Sequence, residues 1–250
     1  MKKKTIALLL VLVMIFGISV GGTIAYLTDK EAVTNTFTVG NVKIKLTETA
    51  VNEAGVPVDE KGSTEADSTD ANWKAAVIEA NDSAPVGNKY KLIPGMSYTK
   101  DPAVTVLEGS EESYIRMIVT VTDCKDVDAA IDEVNTIRQK VEETPIQLID
   151  IFEGYDNSKW EFKGVKKTDD ADYSRIYEFW YKETVSGFEG TEKKAVKLDP
   201  LFTAIKVPGE IDNDSLAAIK EMEIIVEAHA IQSASFADAE AAWGAWTVNN

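Results

Sequence analysis

Mainly β, an antiparallel β-sandwich with one or more helical insertions, is the fold class that the sequence predicts. Three observations predict it. Segments of alternating apolar and polar residues recur along the chain, roughly eight or nine of them. Only one long segment carries a helical period. No strand–helix–strand rhythm of the kind that builds a parallel sheet is present.

The segments follow in order. Val39 to Glu48 sets Val42, Ile44 and Leu46 on one face against Lys43, Lys45 and Thr47, as a half-buried strand does. Glu53 to Asp70 is rich in Gly, Asp, Ser and Glu and reads as a long surface loop. Trp73 to Ala80 and Lys89 to Ile93 read as short strands, the second set among Pro85, Gly87, Pro94 and Gly95. Pro102 to Leu107 alternates again. Ser113 to Asp123 has the look of a central strand, with Ile115, Met117, Val119 and Val121 on one face and Tyr114, Arg116, Ile118 and Thr120 on the other.

Asp126 to Glu143 changes period. Val127, Ala130, Ile131, Val134, Ile137 and Val141 recur at three- and four-residue spacing, which predicts an amphipathic helix near 126–143, stopped by Pro145. Trp160 to Lys166, Ser174 to Thr184 and Ala195 to Leu198 read as strands, and Phe202 to Val207 as a short one. Asp214 to Lys220 predicts a helical turn or two. Glu221 to Gln232 alternates Met222, Ile224, Val226, Ala228 and Ala230 against Glu223, Glu227 and His229.

Composition narrows the function. The chain has 250 residues, 44% of them hydrophobic, enough for a packed core. With 26 basic and 42 acidic residues its net charge is −16. Such a surface repels phosphate backbones and anionic headgroups, so nucleic acid is excluded as a partner. Cys124 is the single cysteine, which rules out an internal disulfide; it reads as a half-buried residue at a strand end.

The first 25 residues carry an export pattern. Lys2, Lys3 and Lys4 precede an apolar run from Ile6 to Phe16, and Gly17, Ser19, Gly21 and Gly22 then break the helix. Thr23 and Ala25 place small residues at −3 and −1 of a cut between Ala25 and Tyr26. The rival reading is an uncleaved anchor. Either way the lysines stay inside and the remainder is exported, so the only membrane contact expected is through this segment. Export without disulfides points to a Gram-positive bacterium. The predicted organisation is a signal peptide at 1–25, an extended segment at 26–38 and a β-sandwich domain at 39–250.

Chemistry-bearing patterns are sparse. His229, the single histidine, shares a strand face with Glu227, at most half a metal site, and no HExxH or cysteine cluster completes it. No GxSxG elbow, Walker loop or GxGxxG occurs. Acidic clusters at Glu65–Asp70, Glu108–Glu112, Asp169–Asp172 and Asp212–Asp214 read as solvated turns, and the last lacks the glycine and distal Glu of a calcium loop. Trp160, Trp180, Trp243 and Trp246 have the chemistry to stack on sugars but suit a core equally well. The expectation is a non-enzyme without cofactor, metal or catalytic residues.

Gly22-Thr23-Ile24-Ala25-Tyr26-Leu27-Thr28-Asp29 followed by Asn35-Thr36-Phe37-Thr38-Val39-Gly40-Asn41-Val42 resembles the start of TasA/camelysin-type proteins, secreted biofilm fibre proteins. Pro94-Gly95 through Tyr98-Thr99-Lys100-Asp101-Pro102, running into Gly109-Ser110 and Tyr114-Ile115-Arg116, is similar more loosely. So is Leu201-Phe202-Thr203 with Pro208, Ala228 to Gln232, Phe236 and Ala242-Trp243. Asp126 to Lys197 matches nothing nameable.

The resemblance implies a jelly-roll-like sandwich, a dedicated ER-type signal peptidase and head-to-tail self-assembly by donor-strand exchange. The donor-strand candidates are Val33, Asn35, Phe37 and Val39. An extended segment added to an open sheet edge satisfies backbone groups and buries side chains, and such a contact does not close on itself. The other reading of 26–38 is a flexible leader or a first strand of its own domain. The expected role is a structural subunit of an extracellular matrix or surface fibre, with an accessory matrix or anchoring protein as a further partner. The alternatives are a monomeric surface binding module and a camelysin-like secreted metalloprotease, which the single His229 does little to support.

Overall fold

Fourteen strands and three α-helices occur among the described residues, which a computed structural model covers at 41–57, 64–67, 75–78, 88–219 and 222–246. In chain order they are β1 (Ile44–Glu48), β2 (Thr64–Asp67), β3 (Ala75–Ile78), β4 (Ser97–Thr99), β5 (Ala103–Val106), β6 (Ser113–Val121), α1 (Cys124–Lys140), β7 (Phe152–Glu153), β8 (Trp160–Lys167), β9 (Arg175–Tyr181), β10 (Phe188–Glu189), β11 (Glu192–Lys193), β12 (Val196–Lys197), β13 (Ala204–Lys206), α2 (Asn213–Ala218), β14 (Ile224–Gln232) and α3 (Ala239–Gly244). The signal segment 1–25 and the extended segment 26–38 lie outside the described residues. No helix among the described residues is long and apolar enough to cross a membrane.

The strands form a five-stranded sheet in the order β3-β14-β6-β9-β8 and a four-stranded sheet in the order β12-β5-β1-β2. Smaller sheets join β4-β13-β7 and β10-β11. The pairings are antiparallel. The fold is therefore mainly antiparallel β with helical insertions, as the alternation predicts.

β6 sits at the centre of the five-stranded sheet and follows its predicted faces. Ile115, Met117, Val119 and Val121 are fully buried, and Tyr114, Arg116, Ile118 and Thr120 point to the outward face. From the other sheet, Ile44 and Leu46 of β1 and Val104 and Val106 of β5 enter the same interior. Each such side chain withdrawn from water contributes about 1.5–3 kcal/mol, which makes this shared interior the main source of stability.

α1 adds Cys124, Val127, Ala130 and Val134 to that core. It begins two residues before the predicted start, because Asp123 adopts a left-handed φ of 50° and turns the chain directly from β6 into the helix. The helix ends at Lys140, short of the predicted Glu143; Ile137, and Val141 just past its end, continue the apolar period but stay exposed, since the chain here runs on past the core. Cys124 is wholly buried as the first residue of α1, not half-buried at a strand end, with its thiol toward the Val121 carbonyl at 3.1 Å.

Two local expectations are corrected. Lys89 to Ile93 forms no strand; Tyr98 Oη holds it instead, donating to the Lys91 carbonyl and accepting from the Ile93 amide, both at 2.7 Å. Within Glu53–Asp70, residues Thr64–Asp67 pair with β1. Gly55 lies against Tyr98 at a φ of +73°, and a Cβ there would sit 2.7 Å from the Tyr98 Cα.

Candidate functional site

The cleavage pair Ala25 and Tyr26 and the donor-strand candidates Val33, Asn35, Phe37 and Val39 lie outside the described residues. What the described residues do contain is a margin of the five-stranded sheet at β8.

β8 closes one end of the five-stranded sheet and, among the described residues, pairs only with β9. Its first residue is well anchored. Trp160 is fully buried, its amide donates to the Asp156 carbonyl at 3.0 Å, and its own carbonyl accepts from Tyr155 Oη at 2.7 Å. Beyond it, register places Phe162 opposite Phe179 and Val165 opposite Tyr177. Phe179 and Tyr177 belong to the core, so Phe162 and Val165 point to the same inner side of the sheet. Yet Phe162 is 41% exposed and Val165 52% exposed. The Phe162 ring stands 5.3 Å from Phe179 and 6.4 Å from Tyr177 between centroids, both of them on β9. Core-facing apolar groups at a sheet margin are thus left half-covered.

The same edge carries features that blunt it. The ladder slips between Phe162 and Gly164, and Gly164 has a φ of +144°. Lys163, Lys166 and Lys167 stud the strand. Bulges and lysines discourage indiscriminate edge pairing, and two β8 edges brought together would set lysine against lysine.

The outward face of this sheet holds a second constellation. Register puts Arg116 of β6 between His229 of β14 and Trp180 of β9. Arg116 Nε donates to His229 Nδ1 at 3.0 Å, and Arg116 Nη1 meets Glu178 Oε1 at 2.9 Å. α3 covers the group. Its Trp243 ring stands 4.4 Å from the Arg116 guanidinium carbon, and Trp246 just beyond the helix stands 5.1 Å away. Trp246 stacks on His229 at 4.9 Å with planes 9° apart. Lys163 of β8 joins from the side, 4.2 Å from the Trp180 ring centroid and 2.7 Å from Glu240 of α3.

His229 therefore does lie on the outward strand face, as its alternation predicts, but it is buried beneath α3. Burial, with the Arg116 charge second, lowers its pKa to about 3. Burial likewise pulls Arg116 below its usual range, against the opposing pull of Glu178. With Nδ1 accepting from Arg116, the imidazole is the neutral tautomer with its proton on Nε2. Among the described residues no group of three or more His, Cys, Asp or Glu is placed to hold a metal ion. Asp212, in the calcium-like stretch, caps α2 by accepting from the Ser215 amide at 2.8 Å. Trp160, Trp180 and Trp243 are buried, so none presents an open ring face for a sugar.

The sequence reading missed α3 and the edge position of β8. For α3 a signal exists: Asp238 precedes Ala-Glu-Ala-Ala-Trp and caps the helix through the Ala241 amide at 2.8 Å. Arg116, the one charged residue of β6, is the mark of the second constellation. No protein family, curated protein or solved structure matches the chain.

Proposed function

We propose that this chain is a secreted structural subunit of an extracellular matrix or surface fibre, of the TasA/camelysin type and jelly-roll form. On this reading a signal peptidase frees Tyr26, and the segment 26–38 of one copy adds as a strand to the sheet of the next. The observation that carries the reading is the margin at β8, where Phe162 and Val165 face the core side but remain half-covered. A strand laid along β8 would pair its backbone and cover both side chains. The lysines of β8 disfavour pairing with a second β8, so growth takes a different strand and stays head-to-tail.

The test is electron microscopy of the processed protein beside a version lacking 26–38. Filaments from the first and folded monomers from the second are expected. Filaments that persist after the deletion would overturn the reading.

A further inference from the structure

α3 rests on the outward face of the five-stranded sheet over an Arg116–His229 hydrogen bond that requires His229 to be neutral. Arg116 Nε is a donor, so the His229 Nδ1 that it meets at 3.0 Å must be an acceptor. A proton placed on Nδ1 would turn the acceptor into a donor aimed at a donor. It would also set two positive charges side by side where His229 is only 7% exposed and water screens poorly.

The cover over this pair is one short helix and the residues just beyond it, held by a small apolar cluster of Trp180, Ile231, Ala242 and Trp243. Trp246 lies on the imidazole and Trp243 on the guanidinium, while Glu240 reaches Lys163. Trp243 and Trp246 each bury an indole N–H that finds no acceptor among the described residues, which weakens the docked state. The other charged groups around the pair are Glu178 on β9, Glu227 on β14, Lys163 and Glu161 on β8, and Glu240 on α3. Glu178 is engaged with Arg116, and Lys163 with Glu161 and Glu240.

We propose that α3 with Trp246 is an acid-released latch: protonation of His229 lifts the segment Ala239–Trp246 off the sheet while the core between the two large sheets stays folded. The direction follows from proton counting. The docked form holds His229 at about 3, and the lifted form returns it toward 6.5. The lifted form therefore binds more protons between these values. Docking is at full strength above 6.5 and weakens as pH falls toward 3, by up to about tenfold per pH unit.

His229 is the only histidine in the chain, so its imidazole resonance can be followed in the unmodified full-length protein. An acid titration should show His229 protonating together with a change in tryptophan emission, at a midpoint at least about one unit below 6.5. Far-ultraviolet circular dichroism should hold through that change. In His229→Gln, whose amide oxygen accepts from Arg116 without gaining charge, the tryptophan change should vanish or move about one unit lower. Glu178→Gln should leave a His229-linked transition in place. The latch is refuted by His229 titrating near 6.5 with no tryptophan response, or by loss of the whole β signal at the same pH. An unshifted transition in His229→Gln refutes it too. Should that variant fail to fold, the titration of the unmodified chain decides alone.

Discussion

Arg116 and Glu178 form an ion pair of 2.9 Å on neighbouring strands, and the same Glu178 oxygen accepts the Trp180 indole N–H at 2.7 Å. Removing the carboxylate leaves a covered guanidinium and a buried indole without that partner. Glu178→Ala should destabilise the protein by about 3 kcal/mol, and Glu178→Gln, which keeps an acceptor for Trp180, by about half as much. Urea unfolding measures both. A loss below about 1 kcal/mol for the alanine variant would mean that the pair behaves as a solvated surface contact.

Two glycines with positive φ separate strain from collision. At Gly55 an added Cβ would press on the Tyr98 backbone at 2.7 Å, whereas at Gly164 nothing lies within 4 Å. Gly164→Ala should cost about 1–2 kcal/mol from backbone strain alone, and Gly55→Ala clearly more, because Tyr98 must also move. Thermal melts of the two variants should fall in that order.

Burial pushes the Cys124 thiol up to about 11, and the side chain is fully enclosed. Thiolate is then scarce at pH 8 and out of reach of reagents. Ellman's reagent should label the native protein at least about 100-fold more slowly than the urea-unfolded chain. Equal rates would contradict the burial of Cys124 at the start of α1.

At the β8 margin, Phe162→Ser and Val165→Ser should lower the stability of the monomer by only about 1 kcal/mol each, since both side chains are already half in water. The same changes should sharply reduce filament yield by electron microscopy. Undiminished filaments would place the acceptor strand elsewhere, for instance at β3, which closes the other end of that sheet.

Val134 and Val141 show how far local pattern carries. Both fit the helical period, but Val134 is fully buried and Val141 is 63% exposed. The period fixes the face and not where the underlying core stops. Val134→Ala should cost about 2 kcal/mol and Val141→Ala less than about 0.5 kcal/mol, by denaturant unfolding. β6 was legible because its alternation is nine residues long and buried on one face. Thr64–Asp67 was not, because a short polar strand is defined by its distant partner β1. Lys89–Ile93 has strand-like residues but is claimed by the Tyr98 hydroxyl. At the candidate site the pattern gives the faces of Phe162 and His229. It cannot give the order of strands, which leaves Phe162 at a margin, nor the arrival of α3 over His229.

Arg116 and His229 sit opposite each other yet stand 113 residues apart in sequence. The central β6–β14 ladder therefore closes a very long loop, and β9 and β8 must find their places on its other side. Chain topology of this kind slows folding into the millisecond-to-second range typical of non-local β proteins, with β6 waiting for a partner made much later in synthesis. During that wait its inner row from Ile115 to Val121 is unpaired and apolar.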